Sequence, residues 1–309
     1  MGGTKHFNVE GQSVIIAGGS KGLGREIALQ LTAQGANITI LARSPGPLEQ
    51  TRQELLKHTK SPSQTITATA LDLTSANDVE SYISSLETTP AILFCVSGGA
   101  ADEIGFFADI TPSQIQASMS RNFYSQAFIA NALFRRWVKE PVSAVPRHLI
   151  FTASTAALLG IPGYAAYTPA KAATRGLADT LRAEALLYAS QQEIRVHCSF
   201  PGTFYSEGFS AEQVRKPALT KKLEGTEEDK GGIPAARVAE LTIKGLQEGR
   251  FLITSDGDTE LLVNNMRGPS PRDSPVKQWV LGVVASLVWP FYRRSWDKET
   301  REYGKSLRG

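Results

Sequence analysis

The chain has 309 residues, 41% of them apolar and 20% charged, enough to bury a substantial core without disulfide or metal staples. A net charge of +3, from 33 Lys and Arg against 30 Asp and Glu, is too small to point to nucleic acid as the partner. Two cysteines in apolar runs, Cys95 and Cys198, read as buried thiols of a reducing compartment, and four scattered histidines offer no metal-ligand spacing.

The first ten residues lack the apolar core of a signal peptide, and His6 stands where a myristoylation signal needs Ser or Thr. No internal repeat is visible. Ser13 to Gly18 is a short apolar run ending in glycines, as a buried parallel strand reads. Gly18-Gly-Ser-Lys-Gly22-Leu-Gly24 follows, and then an amphipathic stretch from Arg25 to Gly35. Strand, glycine turn and helix in that order are the setting of a dinucleotide-binding fingerprint, in which glycines let backbone approach a pyrophosphate seated on the helix N-terminus. The bland alternative is a glycine turn without a ligand.

Asn37 to Arg43 reads as the second strand, and no acid follows it to bond ribose hydroxyls. Arg43, with Lys21 in the glycine turn, suits a 2′-phosphate and so NADPH over NADH, unless Arg43 simply begins a solvated loop. A helix over 48–58 leads to a third strand, Gln64 to Asp72. Asp72 either accepts from an adenine amino group or closes the next turn with Thr74. A helix over 78–86 and a buried strand, Ala91 to Val96, run into Ser97-Gly98-Gly99-Ala100, where glycines again imply close backbone approach to a ligand.

Residues 110–138 carry an apolar pattern at helical spacing and include Asn122. After the apolar run His148 to Ala153 comes Ser154, and thirteen residues later Tyr167, four before Lys171. On a helix these two share a face, and an ammonium beside a phenol pulls its pKa down toward the working pH. Such a tyrosine can give a proton to a carbonyl oxygen, with a nearby serine hydroxyl holding that oxygen. The helix continues past Leu177, Leu181 and Leu186, a core or dimer face, and Glu193 to Phe200 is a further strand that ends at Pro201-Gly202.

Together these pieces resemble the short-chain dehydrogenase/reductase family over about residues 10–262, and within it the fungal branch that reduces 3-ketodihydrosphingosine. The carriers are A-G-G-S-K-G-L-G (17–24), L-D-L-T (71–74), S-G-G-A (97–100), Asn122, Ser154, Y-T-P-A-K (167–171) and P-G-T (201–203). The resemblance implies one doubly wound parallel α/β sheet with helices on both faces. It implies Tyr167 as general acid and Lys171 as the group that lowers its pKa and holds the nicotinamide ribose. Ser154 would orient the carbonyl, and Asn122 would steady a water relay from Lys171. Cofactor contacts would come from Gly18, Ser20, Lys21, Gly22, Leu23, Gly24, Arg43, Asp72, Leu73, Gly98, Tyr167, Lys171, Pro201, Gly202 and Thr203. The implied reaction is NADPH-dependent reduction of a long-chain sphingoid ketone by a homodimer or homotetramer. Ala17 departs from the family's Thr, and Cys95 from the first Asn of its N-x-A-G signature; both are expected to touch the scaffold more than the chemistry.

Alternatives remain: another lipid ketone (a steroid, a retinoid or a 3-ketoacyl chain), a non-catalytic NADPH-binding scaffold, or a membrane-tethered interaction protein. Residues 205–235, where Ser, Glu, Lys and Gly crowd a few apolar positions, read as a mobile substrate lid or a disordered insert. Residues 263–276 read as a linker, and 277–309 as a membrane-associating segment with a basic tail. The uncharged stretch Trp279 to Tyr292 makes roughly 21 Å of helix, short of the ~30 Å hydrocarbon core. An interfacial or re-entrant anchor on the cytoplasmic face of the endoplasmic reticulum is expected, the alternative being an apolar tail packed on a dimer partner.

Overall fold

The apolar runs lie side by side as parallel strands in a computed structural model that describes residues 6–100, 103–226 and 232–306. In chain order the strands are β1 (Ser13–Ala17), β2 (Asn37–Ala42), β3 (Ile66–Ala70), β4 (Ile92–Cys95), β5 (Ser143–Thr152) and β6 (Gln192–Phe200). A small side pair, β7 (Phe204–Tyr205) with β8 (Ile233–Pro234), precedes β9 (Leu252–Thr254). The seven main strands run in the order β3-β2-β1-β4-β5-β6-β9, every pair parallel. The chain works outward from β1 to β3, then returns to place β4 on the other side of β1. A ligand crevice is expected at that reversal, outside the strands' carboxyl ends.

Side-chain alternation divides the core in two. Ile15 and Leu93 face one layer, built with α3 (Ala76–Ser85), α5 (Ser125–Trp137) and α6 (Tyr167–Glu184). Ile16 and Phe94 face the other, built with α1 (Gly22–Ala33), α2 (Pro45–Leu56) and α9 (Ala235–Gln247). The remaining helices are α4 (Pro112–Met119), α7 (Glu207–Arg215), α8 (Ala218–Glu224), α10 (Gly257–Asn265) and α11 (Pro275–Ser306). Ala17 and Cys95 are paired neighbours in the sheet and fully buried, so both departures from the family pattern are packing positions.

Three expectations change here, and the absence of a membrane-crossing tail stands. The helical pattern over 110–138 is two helices joined by a π-turn, Ser120–Tyr124, which adds a residue to one turn without disturbing the apolar periodicity. The described part of 205–235 is ordered as α7, α8 and β8, because Lys216, Leu219 and Thr220 are buried; residues 227–231 lie outside the described residues. The linker over 263–276 is shorter than its composition suggests, since α10 runs to Asn265 and α11 starts at Pro275. The tail is one helix of 32 residues that carries charges through its second half, and no described helix is long and apolar enough to cross a membrane.

Candidate active site

At the carboxyl end of β1 the chain turns through Gly18 (φ +95°) and Gly22 (φ +53°). A Cβ on Gly18 would lie 2.6 Å from the Ser97 nitrogen of the β4 loop, and one on Gly24 would overlap the Gly18 carbonyl oxygen. Only glycines let these loops close on one another. Lys21, the residue before α1, places no side chain on the helix's first amides, which stay open as an anion-binding end. Leu23 is buried in the core beneath this end, and the Ser20 carbonyl accepts from Thr51 Oγ1 (2.9 Å), tying the turn to α2. Lys21 reaches across the crevice to Glu207 of α7 (Nζ to Oε2 2.5 Å).

Arg43 is exposed at the end of β2. Asp72 Oδ1 accepts from the Thr74 amide (2.9 Å) and hydroxyl (2.7 Å), which closes the turn and lowers its pKa, with a smaller contribution from Arg43. Leu73 is a core residue, leaving only its backbone for the crevice. Pro201 and Gly202 follow β6, fixed by Thr155 N to the Pro201 carbonyl (3.0 Å) and Gly202 N to Ser255 Oγ (2.9 Å). The Thr203 carbonyl accepts from the Ile233 amide (3.2 Å).

The strand ends converge on Gln126, one turn beyond Asn122. Its amide nitrogen donates to the carbonyls of Ser97 (3.1 Å), Thr152 (3.0 Å) and Asn122 (3.1 Å), binding β4, β5 and the π-turn together. Asn122 is fully buried; its Oδ1 accepts from Gly99 N (2.8 Å) and its Nδ2 donates to Gly99 O (3.1 Å) and Ser118 O (3.2 Å). Its carbonyl accepts from Thr174 Oγ1 (3.2 Å) as well as Gln126. These bonds let the Asn122 side chain shape the β4 loop. Gly98 lies between Asn122 and Lys171: a Cβ there would meet Asn122 Oδ1 at 2.7 Å and Lys171 Nζ at 3.0 Å.

Ser154 starts a 3₁₀ turn, its Oγ accepting from the Ala156 amide (3.1 Å), and its hydroxyl hydrogen-bonds Tyr167. Lys171 is buried, donates to the Thr152 carbonyl (3.0 Å) and lies 5.7 Å from the Tyr167 ring centre. Burial pulls the Lys171 pKa down to about 8. Tyr167 moves opposite to expectation: burial first, then the carboxylate of Glu212, push its phenol above its ordinary value, while the Ser154 bond draws it down. The residue is half-buried, and with its pKa raised the phenol is protonated at neutral pH. Spacing along a helix could not anticipate this, because Glu212 arrives from α7.

Glu212 belongs to a network with no motif in the sequence. Tyr164 packs its ring 5.4 Å from that of Tyr167 and donates to Glu212 Oε1 (2.5 Å). Lys216, with its side chain buried, pairs with Glu212 (2.8 Å) and Glu224 (2.5 Å). Both oxygens of buried Glu103 accept from Arg121 Nη1 (2.8 Å each). The one available signal was the density of charge at apolar spacing in 207–224. Among the described residues no group of three or more His, Cys, Asp or Glu could hold a metal ion.

A family model described as short chain dehydrogenase matches residues 12–216. The chain belongs to that family. This short-chain dehydrogenase is 34% identical over 93% of its length to a 3-ketodihydrosphingosine reductase of Aspergillus fumigatus, covering 83% of that protein. It is 34% identical over 97% of its length to a PIGF/3-ketodihydrosphingosine reductase fusion protein of Schizosaccharomyces pombe, of which it spans 59%. Among solved structures, a short-chain dehydrogenase of Sphingobium yanoikuyae in complex with NADPH superposes with a TM-score of 0.66 at 19% identity, over 79% of this chain and 87% of that one. That likeness establishes the fold.

Proposed function

We propose that this short-chain dehydrogenase reduces 3-ketodihydrosphingosine to dihydrosphingosine with NADPH in sphingolipid synthesis. The observation that carries the chemistry is the contact of Ser154 with Tyr167, beside buried Lys171, at the mouth of the glycine cradle. The activity for which the relatives are named supplies the substrate.

The residues present fit the dinucleotide. Gly18 and Gly24 leave no room for side chains where backbone must approach it, Gly22 supplies the left-handed turn between them, and the α1 amides are open to a pyrophosphate. Arg43 and Lys21 offer cations for a 2′-phosphate, and Gly98, Pro201, Gly202 and Thr203 border the nicotinamide side. Bound NADPH supplies a hydride to the carbonyl carbon. Tyr167 gives its phenolic proton to the carbonyl oxygen, which Ser154 holds by a hydrogen bond. Lys171, an ammonium below about pH 8, stabilises the phenolate left behind and fixes the ribose hydroxyls. Asn122 holds the Gly98–Gly99 backbone against that lysine.

The exposed apolar face of α11, including Trp279, Val283, Leu287 and Phe291, supports an anchor in a membrane interface, with Arg293 and Arg294 at the headgroup level. We assign it to the cytoplasmic face of the endoplasmic reticulum. Exposed Leu186 and Leu187, with the Tyr124–Phe128 stack, support pairing of two copies through the α5 and α6 side.

The test is NADPH oxidation by purified protein in detergent with 3-ketodihydrosphingosine, beside NADH and a steroid ketone. Turnover of the sphingoid ketone with NADPH is the expected result. Turnover of the steroid alone would discard the substrate and keep the chemistry, and NADPH binding without any turnover would move the protein to the scaffold class.

A further inference from the structure

The inner face of α7 is more polar than a packing face needs to be. Phe209, Glu212, Gln213 and Lys216 recur at the spacing of one helix face and are buried or half-buried, while Ser210, Ala211, Val214 and Arg215 are exposed. This face meets Tyr164: Lys216 Nζ lies 5.6 Å from the centre of its ring, and the Tyr164 hydroxyl donates to Glu212. Tyr164 in turn packs its ring on that of Tyr167. The wall is fastened by α11, where Glu299 pairs with Lys222 of α8 (2.6 Å), Arg293 donates to the Gly160 carbonyl (3.5 Å) and Tyr303 packs 6.1 Å from Phe106.

Charge and hydrogen bonds on this face do not close on themselves. Glu212 and Glu224 share one cation, Lys216. Tyr164 and Lys216 both reach Glu212 at Oε1, and among the described residues nothing hydrogen-bonds its Oε2. Gln213 beside it is buried, and neither Nε2 nor Oε1 of its amide has a hydrogen-bond partner among the described residues. Buried polar atoms are almost always paired, so an open amide next to an open carboxylate oxygen calls for a partner from outside the chain. The reacting centre limits what that partner is. The neighbours packed round Tyr167 are otherwise apolar, with Ile104, Ala156 and Ile161 among them. Lys171 is a cation, and Glu103 is already held by Arg121. Of the carboxylates nearby, Glu212 acts most strongly on the Tyr167 phenol. A carbonyl at Ser154 and Tyr167 therefore has one anionic direction beside it, toward α7.

A sphingoid ketone has the matching groups: a primary ammonium on the carbon next to the carbonyl and a hydroxyl on the carbon after that. Resting on the reading of the function above, we propose that α7 recognises this polar head, Glu212 Oε2 accepting from the ammonium and the Gln213 amide bonding the hydroxyl. An ammonium seated there neutralises the carboxylate that otherwise keeps the Tyr167 phenol from releasing its proton. Proton transfer is then easiest when the amine is in place. A ketone that lacks the amine covers Glu212 without neutralising it, and is turned over slowly.

The experiment is kcat/KM for 3-ketodihydrosphingosine beside two analogues of the same chain length, one with hydrogen in place of the amine and one with hydrogen in place of the hydroxyl. Wild type should favour the parent ketone over the first by about ten- to a hundredfold, and over the second by about fivefold. Glu212→Gln should bring the amine ratio toward one and keep the hydroxyl ratio; Gln213→Leu should do the reverse. A merely loosened α7 would slow all three ketones alike, so variants that keep both wild-type ratios overturn the proposal, as does a wild type indifferent to the amine. A wild type that reduces none of the three overturns the function instead. Should either variant fail to fold, coupling of dihydrosphingosine to the wild-type protein by a carbodiimide decides. An amide found on Glu212 by mass spectrometry supports the proposal, and a Glu212 left unmodified while other carboxylates couple refutes it.

Discussion

Between β1 and β4 the crevice is walled by backbone: glycines in close contact, strand carbonyls gathered by Gln126, and helix amides left open. Across it, α7 and α8 are held by side chains, chiefly Lys216 between two glutamates and Tyr164 on one of them. The first arrangement is set by local sequence and cannot be rearranged without moving the sheet. The second is set by charge brought together over tens of residues and can come apart as a unit. Should the crevice open, its substrate side is the side expected to move while its cofactor side stays fixed.

Breaking the ion network should expose that difference most strongly. Lys216→Met leaves Glu212 and Glu224 unpaired, at a cost of about 3–5 kcal/mol. Hydrogen exchange should lose protection over 207–224 and keep it over 13–95; equal loss in both would show that the two sides are not independent. Next in size, Tyr167→Phe should lower kcat by about 100-fold or more with NADPH binding retained, and near-normal turnover would remove the tyrosine from its role.

The far end of the sheet offers a control away from the crevice. Buried His148 and His197 meet ring to ring (Nδ1 to Nε2 3.2 Å), and burial lowers their pKa values to about 3 and about 4. Both therefore stay neutral in the folded chain while the unfolded chain takes up protons below about pH 6.5. Stability should be full above that pH and fall as pH drops toward 4, by up to about 1.4 kcal/mol per unit for each histidine. His197→Phe should flatten the urea midpoint against pH, and a midpoint in wild type that does not move between pH 7 and 5 contradicts the burial argument. Smallest, Arg43→Ala should weaken NADPH about tenfold, roughly 1.4 kcal/mol, and leave NADH unchanged; equal losses would deny it the 2′-phosphate.

The sequence announces the side of the crevice that is local. Gly18 to Gly24 and the Tyr167–Lys171 spacing lie within single elements, where periodicity and backbone freedom are readable. The π-turn at Asn122 was hidden because an added residue leaves the apolar rhythm intact. The raised Tyr167 pKa was hidden too, since it depends on burial and on Glu212, 45 positions away in the chain. The reach of α11 across the substrate side was misjudged for a similar reason: Trp279 to Tyr292 looks detached by composition, while Arg293, Glu299 and Tyr303, just beyond it, are what fasten the helix.

Gly98 has a practical meaning for anyone altering this protein. The space beside its Cα is already taken, from one side by the amide oxygen of Asn122 and from the other by the ammonium of Lys171. A single methyl there would press on two residues 49 positions apart in the chain, displacing the lysine and loosening the loop in one stroke. Alanine at 98 is therefore a one-atom switch for an inactive but folded reference protein, more informative than deleting the lysine, because every functional group remains present and only their arrangement is lost.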